Sequence, residues 1–310
     1  MSAIPATKSG VQLTRHSGPE GLVWCDDITV SRPGPGKVLM RNQGTDLCGH
    51  VVAQGPGVSA QPIGARVIVS TCQPEPTAQT PMVIRVIGSE FDGPFAQFCV
   101  VLAHHLHDVS AAPLTDVDIG AMPCAYGMAN NLLVRVELRA DERVLVTGAS
   151  DGVGLASVQL AQLRGARVSG QCSVGKAAIV RQEVVQVLDR TQAPAPDRFD
   201  VVVELVGGPE WAVRLNALCP GGRYAGAGAV GRPLVSGDLR VIYLEDLTPY
   251  GCTNQSGAGF AELVVLIDAG ALRPLVSKTY PLRDSAQAPA DLFAWRYSGK
   301  LVLVPSETTP

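Results

Sequence analysis

The stretch Val144–Gly154, VLVTGASDGVG, decides how this chain is to be read. An apolar run, Val144-Leu145-Val146, enters a turn containing Gly148, Gly152 and Gly154. A segment of small and apolar residues, LASVQLAQLRG, follows it. Glycines at such a turn lack the Cβ that would block a pyrophosphate. A helix starting near Gly152 or Val153 would aim unpaired N–H groups, and the positive end of its dipole, at that anion. A glycine-rich turn alone is a weak signal; a strand before it and a helix after it make it a dinucleotide cradle.

The surroundings supply that context. From about residue 143, strand-like runs alternate with helix-like ones, as βαβ units on a parallel sheet do. Arg143–Thr147 reads as the first strand, with Val153–Arg164 as its helix. Ala166–Gly170 reads as the second strand and Phe199–Leu205 as a buried one, and Gly222–Gly226 and Leu247–Gly251 read as later strands. The first third of the chain reads as β-rich. Its short apolar segments, Val38–Met40, Val51–Ala53, Arg66–Val69 and Phe98–Val101, are broken by Gly and Pro turns. The end, SGKLVLVP, is β-like again and is expected to return to the first domain's sheet. The fold class is therefore α/β: a doubly wound parallel-sheet domain inserted into a β-rich domain. Residues 1–122 and 275–310 are assigned to the β-rich part, and 123–274 to the nucleotide-binding part. Low-complexity patches are short: RPGPGK, PEPTAQTP at 74–81, and APAPD at 193–197.

Composition excludes several function classes. The chain has 310 residues, enough for two domains, with 46% apolar and 17% charged residues. A formal net charge of −3, without a Lys/Arg cluster, gives no footprint for nucleic acid. No apolar run is long enough for a bilayer, and MSAIPATKSG lacks a signal-peptide core, so a cytoplasmic protein is expected. None of the eight cysteines lies in a CxxC pair, and core packing in a reducing compartment is their expected role.

The tip of the second strand selects the cofactor. An NAD-preferring site places Asp or Glu there for the ribose 2′-hydroxyl. Here the chain runs ARVSGQCSVGK, with Ser173 and Lys176 at the tip and Arg190 downstream in VLDR. Cations and hydroxyl donors suit a 2′-phosphate, so NADPH is favoured over NADH. Lys176 is also the kind of residue that sits solvated on a surface.

With these residues in place, the chain resembles the medium-chain dehydrogenase/reductase superfamily, and most of all its zinc-independent, quinone oxidoreductase-like branch. GTDLCGHVVAQGPGVSAQPIGARV (44–67), DGPFAQFCVVLAHHLHDV (92–109), PCAYGMANNLL (123–133), VLVTGASDGVG, FDVVVELVGG, PGGRYAGAG, LEDLTPYGC and SGKLVLVP carry the resemblance in the family's order. It implies a Rossmann domain inserted into a GroES-like domain, NADPH as cofactor, and usually a homodimer. It also implies hydride transfer to an activated C=C bond or a quinone: an enone, an enoyl thioester or a quinone proper. The pyrophosphate would meet Ser150, Asp151, Gly152, Val153 and Gly154, and the adenosine phosphate Ser173, Lys176 and Arg190. Ala227, within Ala225–Ala229, and Gly251, Cys252 and Thr253 would flank the ribose and nicotinamide, and Cys124 to Tyr126 would line the cleft. Tyr126 is the best side-chain candidate for a proton donor, although a half-buried packing tyrosine fits equally well. Asn130 and Asn131 are alternatives.

No metal is expected. Gly49-His50 is followed by Val51 rather than Glu, the four-cysteine lobe is absent, and no second ligand group joins His104, His105 and His107.

Two departures stand out. VLMRNQ (38–43) runs almost directly into Gly44-Thr45-Asp46, where the family carries a longer segment with polar residues for the substrate face. Between the second strand and FDVVVEL, the usual helix is expected to be lost to APAPD, where prolines break it. The first departure motivates an alternative: a redox-neutral cyclase or isomerase of a specialised biosynthetic pathway on this fold, or a non-catalytic NADPH-binding protein.

Overall fold

The computed structural model describes residues 4–16, 18–73, 78–79, 83–184, 186–253 and 255–305; most of the 74–81 patch lies outside them. The chain divides into two compact units, one running to Cys124 and resuming at Phe260, the other spanning Ala125–Gly259.

The first unit begins with strands β1 (Thr7–Leu13), β2 (Leu22–Thr29), β3 (Lys37–Gly44), β4 (Cys48–Gln54), β5 (Arg66–Val69), β6 (Phe98–Leu102) and β7 (Leu106–Asp108). β1 and β2 pair as an antiparallel ribbon, and the other five form an antiparallel sheet in the order β6-β3-β4-β5-β7. All four apolar segments singled out in this region are strands of that sheet. Alternation decides which residues turn inward: Val38, Met40, Val51, Val67, Val69, Cys99 and Val101 join one buried cluster with Leu47 and Leu106. Helix α1 (Asp116–Gly120) follows. It opens on a capping box in which Thr115 and Asp118 satisfy each other's backbone N–H groups. Helix α2 (Pro123–Arg135) starts in this unit and continues into the second.

The second unit carries β8 (Arg143–Thr147), α3 (Gly152–Leu163), β9 (Arg167–Cys172), α4 (Ala177–Val180), β10 (Gln186–Asp189), β11 (Phe199–Glu204), α5 (Trp211–Asn216), β12 (Leu218–Gly226), α6 (Leu239–Leu244) and β13 (Thr248–Gly251). Its six strands are all parallel, in the order β10-β9-β8-β11-β12-β13. Counted along the chain, the third, second and first strands precede the fourth, fifth and sixth, the order of a dinucleotide-binding sheet. The reversal falls between β8 and β11. Burial on both faces explains the near-continuous apolar runs: Val144, Leu145, Val146, Val201, Val202 and Val203 are all fully buried.

β10 is an element the sequence did not announce. It has only four residues, all half-buried, at the sheet edge, and VQVLD carries too little pattern to mark a strand. Residues 190–198 hold no helix before β11, as the prolines of APAPD predict.

Helix α7 (Gly257–Asp268) leads back to the first unit, followed by β14 (Val276–Pro281), α8 (Gln287–Phe293) and β15 (Lys300–Val304). The tail does return to the β-rich unit, but it does not join the five-stranded sheet. β15 pairs with β14 in a separate parallel ribbon. Hydrogen bonds to Thr45 tether it: Thr45 N–H to Leu303 O at 3.2 Å, and Leu303 N–H to Thr45 Oγ1 at 3.1 Å.

Candidate functional site

Because the six strands are parallel, their carboxyl ends share one edge, and every loop that leaves this edge carries sequence singled out above. The Gly148–Asp151 turn follows β8, Ser173 to Lys176 follow β9, and Arg190 follows β10. Leu205 to Gly208 follow β11, Ala227 follows β12, and Cys252 and Thr253 follow β13. Ligands of open α/β sheets bind at this edge, where the strand order reverses.

The turn after β8 has the form its glycines suggested. Gly148 takes a left-handed φ of 59°, which a glycine adopts without strain. Asp151 N–H closes the turn on Gly148 O at 3.0 Å, and α3 starts at Gly152. A Cβ on Gly154 would stand 2.1 Å from Gly148 O, so the helix start and the turn are in direct contact. Asp151 occupies the N-cap, yet its side chain caps no backbone group. The first-turn N–H groups of α3 therefore have no capping side chain and remain available to an anion. This cradle fits a pyrophosphate.

The Asp151 carboxylate turns instead toward the tip of β9. Its Oδ1 lies 3.8 Å from Lys176 Nζ. Burial pushes the Asp151 carboxyl above its ordinary range, and the Lys176 charge works against that rise. Lys176 ends a short helical turn that begins at Val174, with half-buried Ser173 at its N-cap. Arg190 is exposed, and its N–H bonds Cys172 O at 2.9 Å. Asp189, which the sheet pairs with Cys172, directs its carboxylate into its own turn, accepting from Thr191 N–H at 3.0 Å. The sheet thus brings Ser173, Lys176 and Arg190 to neighbouring strand ends.

On the other side of β8, Ala227 N–H bonds Glu204 O, and Cys252 N–H bonds Gly226 O, each at 3.0 Å. Gly251 and Thr253 are exposed, while Cys252 is buried.

Sequence reasoning missed Glu204. This fully buried carboxylate accepts from Thr147 Oγ1 (2.9 Å), Val206 N–H (2.8 Å) and Gly207 N–H (2.9 Å) through one oxygen. Its other oxygen takes Arg214 Nη1 at 2.7 Å. The network locks the ends of β8 and β11, the two strands that flank the reversal. An acid ending a valine run was the available signal, since such a charge is held only by several donors.

Chain similarity agrees with this geometry. Residues 24–111 match the family model "Alcohol dehydrogenase GroES-like domain", and residues 176–303 match "Zinc-binding dehydrogenase". An acryloyl-coenzyme A reductase of Metallosphaera sedula is 32% identical over 257 residues, covering 78% of this chain and 76% of its own. A quinone oxidoreductase of Rattus norvegicus is 24% identical, covering 94% of this chain and 95% of its own. The structure of a putative alcohol dehydrogenase from Sinorhizobium meliloti 1021 superposes with a TM-score of 0.90 at 35% identity, covering 98% of each chain. The chain belongs to the medium-chain dehydrogenase/reductase superfamily.

The medium-chain dehydrogenase/reductase fold binds nicotinamide cofactors. Tyr126 lies on α2. Its side chain is fully buried, and its hydroxyl donates to Gln159 Oε1 on α3 at 2.8 Å. Burial, reinforced by the Glu183 charge, raises its pKa. This hydrogen bond ties α2 to α3. Asn130 is committed as well: its amide donates to Gly259 O at 2.7 Å and its carbonyl accepts from Arg164 Nη2 at 2.7 Å. Asn131 is buried, with an amide nitrogen that has no hydrogen-bond partner among the described residues.

The shortened segment of this dehydrogenase/reductase is a tight hairpin. β3 runs to Gly44 and β4 starts at Cys48, with Gly44 opposite Cys48. At its tip, Asp46 accepts from Cys124 N–H at 3.2 Å and pairs with Lys300 Nζ at 3.5 Å. Burial and the Asp46 charge push the Cys124 thiol up to about 11, so it is protonated at neutral pH. Among the described residues, no group of three or more His, Cys, Asp or Glu is arranged to hold a metal ion. His104 and His105 stack on each other with ring centroids 4.2 Å apart, and His107 packs on Phe260 at 5.1 Å. No helix among the described residues is long and apolar enough to cross a membrane.

Proposed function

We propose that the protein is an NADPH-dependent reductase that adds a hydride to an activated C=C bond or a quinone, without zinc. The observation that carries this reading is the strand-end array: a glycine cradle with open helix amides after β8, beside Ser173 and Lys176 after β9. The 32% identity to a protein named for reducing an acryloyl thioester supports an enoyl thioester or a related enone as substrate class. Bound at this edge, the cofactor supplies the hydride. The Gly152, Val153 and Gly154 amides hold its pyrophosphate, with Ser150 buried within the turn. Ser173, Lys176 and Arg190 receive the adenosine 2′-phosphate. Ala227, Gly251, Cys252 and Thr253 border the ribose and nicotinamide. The chain's contribution to catalysis is placement of the cofactor and exclusion of water, which is most of what hydride transfer asks of a protein.

Incubating the protein with NADPH and a panel of enones, enoyl thioesters and quinones tests this reading. Substrate-dependent loss of reduced-cofactor absorbance is expected. Tight NADPH binding with no turnover across the panel would overturn it in favour of the second reading, redox-neutral catalysis or nucleotide binding alone. The short 45–47 turn favours that second reading, because it replaces a segment that elsewhere in the family supplies polar groups to the substrate. A homodimer in the cytoplasm belongs to the same proposal, and sedimentation of the purified chain reads its mass.

A further inference from the structure

The residue that sets this turn apart is Asp151. An acid between a buried strand and a pyrophosphate-binding helix puts like charge beside the ligand. A helix N-cap aspartate ordinarily offsets its presence by accepting from the N2 or N3 backbone N–H. Asp151 makes no such bond. Its carboxylate points instead to Lys176, with Oδ1 at 3.8 Å from Nζ; the lysine side chain is 18% exposed and the aspartate side chain 41%. The separation is that of a loose ion pair, without the close fit of a charge-assisted hydrogen bond.

The pair joins two parts of one binding edge: Asp151 belongs to the pyrophosphate turn, and Lys176 to the tip of the neighbouring strand. An adenosine 2′-phosphate would meet a lysine whose charge is already partly neutralised by the protein itself. NADH carries no 2′-phosphate and makes no demand on this lysine. Removal of the acid should therefore act in two separable ways. It relieves repulsion of the pyrophosphate, which both cofactors carry, and it releases Lys176, which only the phosphorylated cofactor exploits.

We propose that Asp151 tunes cofactor selectivity: its carboxylate competes with the 2′-phosphate for the Lys176 ammonium and so lowers the preference for NADPH over NADH. The inference rests on the assignment of this edge as an NADPH site. Its consequence is that the wild-type protein discriminates less sharply than Ser173, Lys176 and Arg190 together imply.

The test is a double-mutant cycle on the full chain, read as dissociation constants for NADPH and NADH by calorimetry, with no substrate present. Asp151→Asn should raise the ratio Kd(NADH)/Kd(NADPH) by about fivefold, the equivalent of the ~1 kcal/mol at which partly exposed ion pairs reach their upper range. In a Lys176→Met background, the same change should leave the ratio unmoved. Asp151→Ser serves as a second variant that restores a capping hydroxyl, and its ratio should rise likewise. A ratio that rises equally with and without Lys176 would mean that Asp151 acts on the phosphate directly, which overturns the competition. A ratio that falls in Asp151→Asn overturns it too, because the acid would then be pre-positioning the lysine. If Lys176→Met lowers the ratio while Asp151→Asn leaves it unchanged, the selectivity role fails and the NADPH site stands. If Lys176→Met itself leaves the ratio unchanged, the NADPH assignment fails and takes this inference with it.

Discussion

Replacing Gly154 by Ala probes the contact between the turn and the helix on which the proposed cofactor site rests. The added Cβ would lie 2.1 Å from Gly148 O and 2.8 Å from both Gly148 C and Ala149 Cα. Ordinary contact begins near 3.4 Å, so α3 and its turn would have to part by about 1.3 Å. Every blocking atom belongs to the backbone, and no side-chain rotation can relieve the clash. Overpacking of this kind costs ~1–3 kcal/mol, and a backbone clash belongs at the upper end. Alanine returns ~1 kcal/mol through its higher helix propensity, leaving a net loss of about 2 kcal/mol. For a domain of this size, Tm should fall by about 4–8 °C. The same displacement moves the first-turn amides away from the pyrophosphate, and NADPH affinity should drop by at least roughly tenfold. Thermal unfolding and a cofactor titration on the same preparation read both effects. A Gly154→Ala protein with unchanged Tm and unchanged affinity would refute the contact and, with it, the cradle.

Glu204→Ala leaves the Arg214 guanidinium buried without its carboxylate, and urea denaturation should show a loss of ~3–5 kcal/mol; a loss below ~1 kcal/mol would contradict the network. Tyr126→Phe removes one hydrogen bond to Gln159, so stability should fall by ~1 kcal/mol while kcat changes by less than about threefold. A hundredfold loss of kcat at unchanged Tm would instead mark Tyr126 as a proton donor. Arg143 engages Asp200 through Nη2 at 2.7 Å, Nε at 3.0 Å and its own backbone N–H at 2.7 Å, which holds the Asp200 carboxyl below its usual range. A depressed folded pKa contributes stability that is present above the unfolded value, ~3.9, and is lost as pH falls through the folded one. The wild type should therefore exceed Asp200→Asn by up to ~1 kcal/mol at pH ~7, with the gap closing in acid. A gap independent of pH would remove Asp200 from the acid response.

The parts of the fold legible in the sequence were those where one physical cause dominates. β8, β11 and their glycine turns announced themselves because strands buried on both faces must be apolar throughout, and because Gly148 and Gly154 sit where a Cβ or an ordinary φ would fail. β10 gave no such signal: four half-buried residues at a sheet edge are specified by their neighbour β9 more than by their own pattern. The destination of β15 was half legible. Its apolar run marked a strand, but pairing with β14 depends on register and on the Thr45 tether, and both are tertiary.

In the candidate site, residue types pointed to the carboxyl edge of the sheet, while tertiary partners decide how each side chain is held there. Nothing local to PCAYGMANN shows that the Tyr126 hydroxyl is taken by Gln159, which lies 33 positions further along the chain. The sequence shows Asp151 in the turn; only the placement of Lys176 just beyond the tip of the next strand explains where its charge goes.

The central question is whether this edge binds NADPH and delivers its hydride to an activated double bond. The most direct measurement is steady-state consumption of NADPH with an α,β-unsaturated acyl thioester, comparing wild type with Lys176→Met. The account predicts substrate-dependent turnover in the wild type, and a rise in KM for NADPH in the variant with kcat largely retained. NADPH consumption that is absent in the wild type, or indifferent to loss of Lys176, would contradict it.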